Sequence, residues 1–89
     1  MSKSIERVQT GVRLERRLVK VLKGTAEYLN LSLSDLLEGI VLHAFESKNP
    51  FSANTLHCIG QLKEVYGLDL TAEESHTLTE RTDPPGGEQ

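Results

Sequence analysis

The sequence has no tryptophan, one cysteine, one methionine, and only two Phe and two Tyr among its 89 residues. So few aromatics in so short a chain limit the core that one copy can bury, which points to a second copy or another partner to complete it. The single cysteine, Cys58, excludes an intrachain disulfide and the usual zinc clusters, and it fits a reducing cytoplasm. No apolar run approaches the roughly 20 residues of a membrane span, and no secretory leader pattern is present. The expectation is a soluble, cytoplasmic protein with no membrane partner, no metal and no cofactor.

Residues suited to catalysis are equally sparse. His43, His57, Cys58 and His76 are the obvious reactive groups, and their spacing matches neither a metal motif nor a nucleophile with its base. His57 and Cys58 are neighbours on a predicted helix, where successive side chains diverge by about 100°. There is no phosphate-binding glycine loop and no carboxylate pair in a pocket-forming context. The sequence therefore argues against an enzyme, and its site residues include no catalytic group.

Charge is present in quantity but unevenly divided. Residues 1–30 carry seven Lys and Arg against three Glu, a net +4, whereas residues 31–89 carry three against ten acids, a net −7. The total of −3 hides this asymmetry. A basic half suits a polyanionic partner, although basic residues on a helix also serve simply as solvated surface.

Periodicity then divides the chain. In residues 8–17, VQTGVRLERR, the apolar or small Val8, Thr10, Val12 and Leu14 alternate with Gln9, Gly11 and Arg13. That is the period of a strand with one moderately apolar and one polar, basic face. No second convincing strand follows, so the economical expectation is that two copies pair their strands across a twofold axis. From Glu15 the period becomes helical, with Leu18, Val21, Leu22, Thr25, Ala26 and Leu29 on one face and Asn30 as a left-handed stop. Ser32 is placed to cap a second helix, with Asp35 able to complete a capping box. Leu33, Leu36, Leu37, Ile40, Val41, Ala44 and Phe45 form a stripe wider than one short helix could cover, which makes this helix the expected dimer core. Gly24 and Gly39 interrupt the two helices at about 1 kcal/mol each, and close helix approach is the preferred explanation.

The order strand, helix, short turn, helix in VQTGVRLERRLVKVLKGTAEYLNLSLSDLLEGI resembles the ribbon-helix-helix family of Arc and MetJ-type DNA-binding proteins, over about residues 7–46. The resemblance implies a mainly α fold with one N-terminal β-strand, in which two chains intertwine and form a two-stranded antiparallel ribbon. It also implies that this ribbon enters the major groove of double-stranded DNA. Carried onto this sequence, the base-contacting positions are Gln9, Gly11 and Arg13, and the start of the second helix, Ser32, Leu33 and Ser34, meets the phosphate backbone. Lys3 and Arg7 are placed to reach phosphates as an arm. The dimer core comprises Val12, Leu14, Leu18, Leu22, Leu36, Leu37, Ile40 and Val41. Independently of the family, Arg13 suits guanine O6 and N7, and Gln9 suits adenine N6 and N7. Gly11 suits neither, and the family usually presents a polar side chain there.

Beyond Lys48 the family pattern gives no guidance. Asn49-Pro50 ends the second helix, Ser52 can cap a third, and Gly67 can stop it. Thr71 with Glu74 forms another capping-box pattern, giving a short fourth helix around residues 72–80. The predicted organisation is a flexible basic arm over 1–6 and a DNA-binding and dimerisation domain over 7–48. A helical acidic extension follows over 49–80, with a disordered tail over 81–89. Two readings follow. One is a sequence-specific DNA-binding homodimer acting as a transcriptional repressor, associated with the nucleoid when bound. The other is a protein-interaction or antitoxin-like module on the same scaffold, whose residues 50–80 hold a protein partner or a second dimer.

Overall fold

Local capping chemistry sets most helix boundaries in the computed structural model, which describes residues 3–80. Helix α1 spans Arg16–Leu29, α2 spans Leu33–Phe45 and α3 spans Ala53–Tyr66, followed by a single 3-10 turn at Ala72–Glu74. Glu15 caps α1, its carboxylate accepting the Leu18 N–H at 3.0 Å. Asn30 closes α1 in the left-handed region at φ 60°, and the next residue, Leu31, donates its N–H to the Ala26 carbonyl at 2.9 Å. Ser32 caps α2 by accepting the Asp35 N–H at 3.1 Å, and Ser52 caps α3 by accepting the Thr55 N–H at 3.2 Å. Gly67, at φ 67°, terminates α3 where a side chain would be strained.

The expectation of a mainly α fold with an N-terminal strand is corrected: among the described residues there is no strand, and the fold is all-helical. The segment 7–14 keeps its alternating pattern but has no regular structure, and each of its residues is exposed. The physical reason is that a period-2 pattern specifies a face, not a partner. Strand backbone donors and acceptors need a second strand, and the described residues supply none. The intertwined homodimer built on an intermolecular ribbon falls with it. The fourth helix around 72–80 is also shorter than expected. Its capping contact forms, the Thr71 N–H reaching the Glu74 carboxylate at 2.8 Å, but His76 at φ 73° breaks any continuation. The tail at 81–89 lies outside the described residues.

Packing centres on α1, which lies chiefly against α3 and less against α2. The buried residues are few and mostly small: Val21, Thr25 and Ala26 of α1, Leu36 of α2, Thr55 of α3, and Leu68. The two buried threonines satisfy their hydroxyls, Thr25 by donating to the Val21 carbonyl at 2.8 Å and Thr55 by sharing a 3.0 Å hydrogen bond with Ser52. Close approach explains Gly24, because a β-carbon there would stand 3.0 Å from both Leu62 methyls of α3. Gly39 has open space around it in the single chain. We expect Gly24→Val to destabilise the fold by about 1–3 kcal/mol through overpacking of the α1–α3 contact. Urea unfolding checks this, and an unchanged midpoint would contradict the packing.

The fold is not closed on itself. Its radius of gyration is 15.1 Å, against about 12 Å for a compact domain of this length. Large apolar side chains stay uncovered, among them Val8 at 78%, Val12 at 70%, Leu42 at 60% and Phe45 at 80% exposure.

Candidate nucleic-acid interface

The basic half of the chain folds into the segment before α1 and the first three turns of α1, where Arg16, Arg17, Lys20 and Lys23 follow one another on a helix. Gln9, Gly11 and Arg13, the residues expected to face DNA bases, are all exposed on the irregular segment ahead of it. Their alternation with Val8, Val12 and Leu14 leaves apolar and polar side chains uncovered together.

Of the residues expected to face phosphates, Arg7 is tied to α2 across 31 positions of sequence. Arg7 reaches across to the first turns of α2, donating from Nε and Nη2 to the two Glu38 carboxylate oxygens, each at 2.9 Å. Its Nη2 also lies 3.7 Å from Asp35 Oδ1. Arg7 is therefore tied to carboxylates in the first two turns of α2, the helix whose positive end begins at Ser32, Leu33 and Ser34. The same end carries two carboxylates that compete with any phosphate there. Lys3 is exposed near the start of the arm.

The hydrogen bond from Arg7 holds the Glu38 carboxyl below the usual carboxylate range. For Glu15, burial pushes the carboxyl up, but the Leu18 N–H and Arg17 outweigh it and hold the group low. The sign is the same for both groups. A depressed carboxyl stabilises the docked state above its ordinary pKa, and that contribution is lost as pH falls through the lowered value. The arm should therefore leave α2 only on the acid side of the normal glutamate range. An NMR titration of the Glu38 side chain checks this. The midpoint should lie below that of a free glutamate and return towards it in Arg7→Gln, and a normal midpoint in the wild type would contradict the contact.

Two further arginines hold carboxylates from the far end of the chain. Arg17 pairs with Glu15 at 3.0 Å and Asp69 at 3.2 Å, and donates to the Gly67 carbonyl at 2.8 Å. Arg13 pairs with Glu80. Lys20 lies over the Tyr66 ring, 5.7 Å from its centre. Sequence spacing gave no sign of these pairings, which join residues 52 and 67 positions apart.

The expected dimer-core residues divide sharply. Leu36 is buried at 3%, and Leu22, Leu37 and Ile40 are half-buried. Val12 at 70%, Leu14 at 44%, Leu18 at 37% and Val41 at 43% are exposed. Leu42 and Phe45 extend this apolar surface one turn along α2; the helical stripe pointed to Phe45 but not to Leu42.

The reactive residues do not converge. Cys58 is a free, half-buried thiol, His57 is exposed beside it, and His43 Nδ1 lies 2.7 Å from the Gly39 carbonyl of its own helix. Among the described residues no three His, Cys, Asp or Glu side chains could jointly hold a metal ion, and no helix is long and apolar enough to cross a membrane. Comparison of the chain with protein-family models, with curated proteins and with solved structures finds no match.

Proposed function

We propose that this protein is a DNA-binding regulator that acts as a homodimer and represses transcription by occupying its site. The observation that carries this reading is the segment 7–14, which alternates apolar and polar side chains yet is left uncovered along its whole length. A chain gains no stability from exposing Val8 and Val12, so this uncovered apolar set suits a partner outside the fold. Its polar set, Gln9 and Arg13, has the donors that read adenine and guanine edges. The basic first turns of α1 add attraction for the phosphate backbone. The uncovered face of α2, Val41, Leu42 and Phe45, is the surface on which a second copy would pack. These contacts need no strand pairing.

The alternative, a segment held ready for a protein partner, draws on the exposed Leu56, Val65 and Tyr66 of α3. An unstructured toxin-binding tail is the weaker version of it, because α3 is folded against α1 through Gly24 and Leu62. Limited proteolysis separates the two: resistance within 53–66 favours the regulator, and ready cleavage there favours the waiting segment.

The direct test compares Arg13→Ala with Lys20→Ala on duplexes differing at single base pairs. Arg13→Ala should weaken binding and relax base preference at one position per half-site, by about 1–3 kcal/mol of discrimination. Lys20→Ala should weaken all duplexes alike. The reverse pattern would refute the assignment of the reading segment.

A further inference from the structure

Three arginines of the basic half are occupied by the chain's own carboxylates: Arg7 by Glu38 and Asp35, Arg13 by Glu80, and Arg17 by Glu15 and Asp69. Glu15 is local to Arg17 and caps the same helix, and the Arg7 pairs tie the arm to α2. The other two pairs differ in kind. Asp69 and Glu80 belong to residues 69–80, a stretch with four acids and no Lys or Arg. It carries almost no core of its own, since Leu70 is only half-buried and every other residue in it is exposed. The packing of α3 and of the buried Leu68 brings Asp69 to α1, but beyond Leu70 nothing buried holds the stretch there, and its return to Arg13 is made by charge.

A guanidinium presents the same donor fork to a carboxylate as to a phosphate, so one arginine cannot fully satisfy both. Arg13 is the base-reading candidate, and Arg17 stands in the first turn of α1 beside it. We infer that the acidic segment 69–80 is an internal competitor that occupies Arg13 and Arg17 in the free protein and must be displaced by nucleic-acid phosphates or bases. This rests on the DNA-binding reading for the identity of the displacing ligand, but not for the competition itself. Both pairs are solvent-exposed, Arg13 and Glu80 at 82% and 66% and Arg17 and Asp69 at 37% and 81%. Such pairs are individually weak and are screened by salt. The segment is thus a filter: a dense array of phosphates displaces it, and a sparse one does not.

The experiment uses the full chain in three forms: wild type, Asp69→Asn/Glu80→Gln, and Glu27→Gln/Glu64→Gln. The last removes the same charge from two carboxylates that form no ion pair among the described residues. Affinity is measured for a random-sequence duplex by fluorescence anisotropy and for heparin, a sequence-free sulfated polyanion, by titration, each at low and high salt. The Asp69→Asn/Glu80→Gln protein should bind both about three- to ten-fold more tightly than the control variant at low salt, with the difference vanishing at high salt. If no form binds the duplex but heparin shows the difference, the DNA reading fails and the competition stands. Equal affinities of the two variants for whichever ligand the wild type binds would overturn the competition. So would failure of Asp69→Asn/Glu80→Gln to bind either.

Discussion

Truncation of Leu36 to alanine should cost about 2–5 kcal/mol, a large share of the stability available to a domain of this size. Leu36 is the only residue of α2 that the chain buries, at 3% exposure, and it anchors that helix to the rest of the fold. The remaining core is small: two aliphatic residues of α1, two threonines and Leu68. A cavity in so limited a core has little around it that could collapse to fill the space. Urea unfolding at low protein concentration checks this, with Leu31→Ala, which truncates a leucine 43% exposed, as the comparison. Leu31→Ala should shift the midpoint little. Equal effects of the two truncations would mean that α2 is not held through Leu36.

The second large effect is expected at the other side of the same helix. Leu42→Asp/Phe45→Asp should leave the single-chain fold intact, because both positions are exposed there, at 60% and 80%. In a dimer packed on this face the same two charges would be buried without partners, which costs several kcal/mol and weakens association by on the order of 100-fold or more. Sedimentation should therefore show a monomer with wild-type helix content, and DNA affinity should fall with it, since two linked half-sites no longer engage together. A variant that remained dimeric would place the interface elsewhere. A monomer that bound DNA as tightly as the wild type would break the link between the two activities.

The contrast between what the sequence made legible and what it did not follows the range of the interactions. Most helix ends are readable because they depend on one or two neighbours; the exception is the end of α2, which stops at Phe45 with Ser47 left-handed at φ 57°, ahead of the Asn49-Pro50 stop that the sequence suggests. Asn30, Ser32, Ser52 and Gly67 perform the expected tasks, and the Thr71–Glu74 contact forms. Glu15 was read as the first helical residue and is instead the cap, a shift of one position. The expected strand does not form because its pattern is local while its stability is not. Gly24 was read as a close-approach position, but only the fold identifies Leu62 as its neighbour. The site shows the same division. The alternating pattern does not sort the exposure of 7–14, since Val8, Val12 and Leu14 are uncovered along with Gln9, Gly11 and Arg13, and the carboxylates that hold Arg7, Arg13 and Arg17 lie far along the chain, at Glu38, Glu80 and Asp69. Nothing in periodicity or motif spacing encodes such pairs. The division of charge between the two halves is the one sequence signal that foreshadows them.

The central claim, a dimer that reads DNA through residues 9 and 13, is tested most directly by selecting bound sequences from a random duplex library. Wild type is compared with Gln9→Ala/Arg13→Ala at low and high salt. The account predicts a palindromic motif with wild type, retained as salt is raised, and no motif with the double variant. Enrichment of the same motif by both proteins would contradict the reading segment. Enrichment of nothing by either, with weak binding even at low salt, would contradict DNA recognition itself.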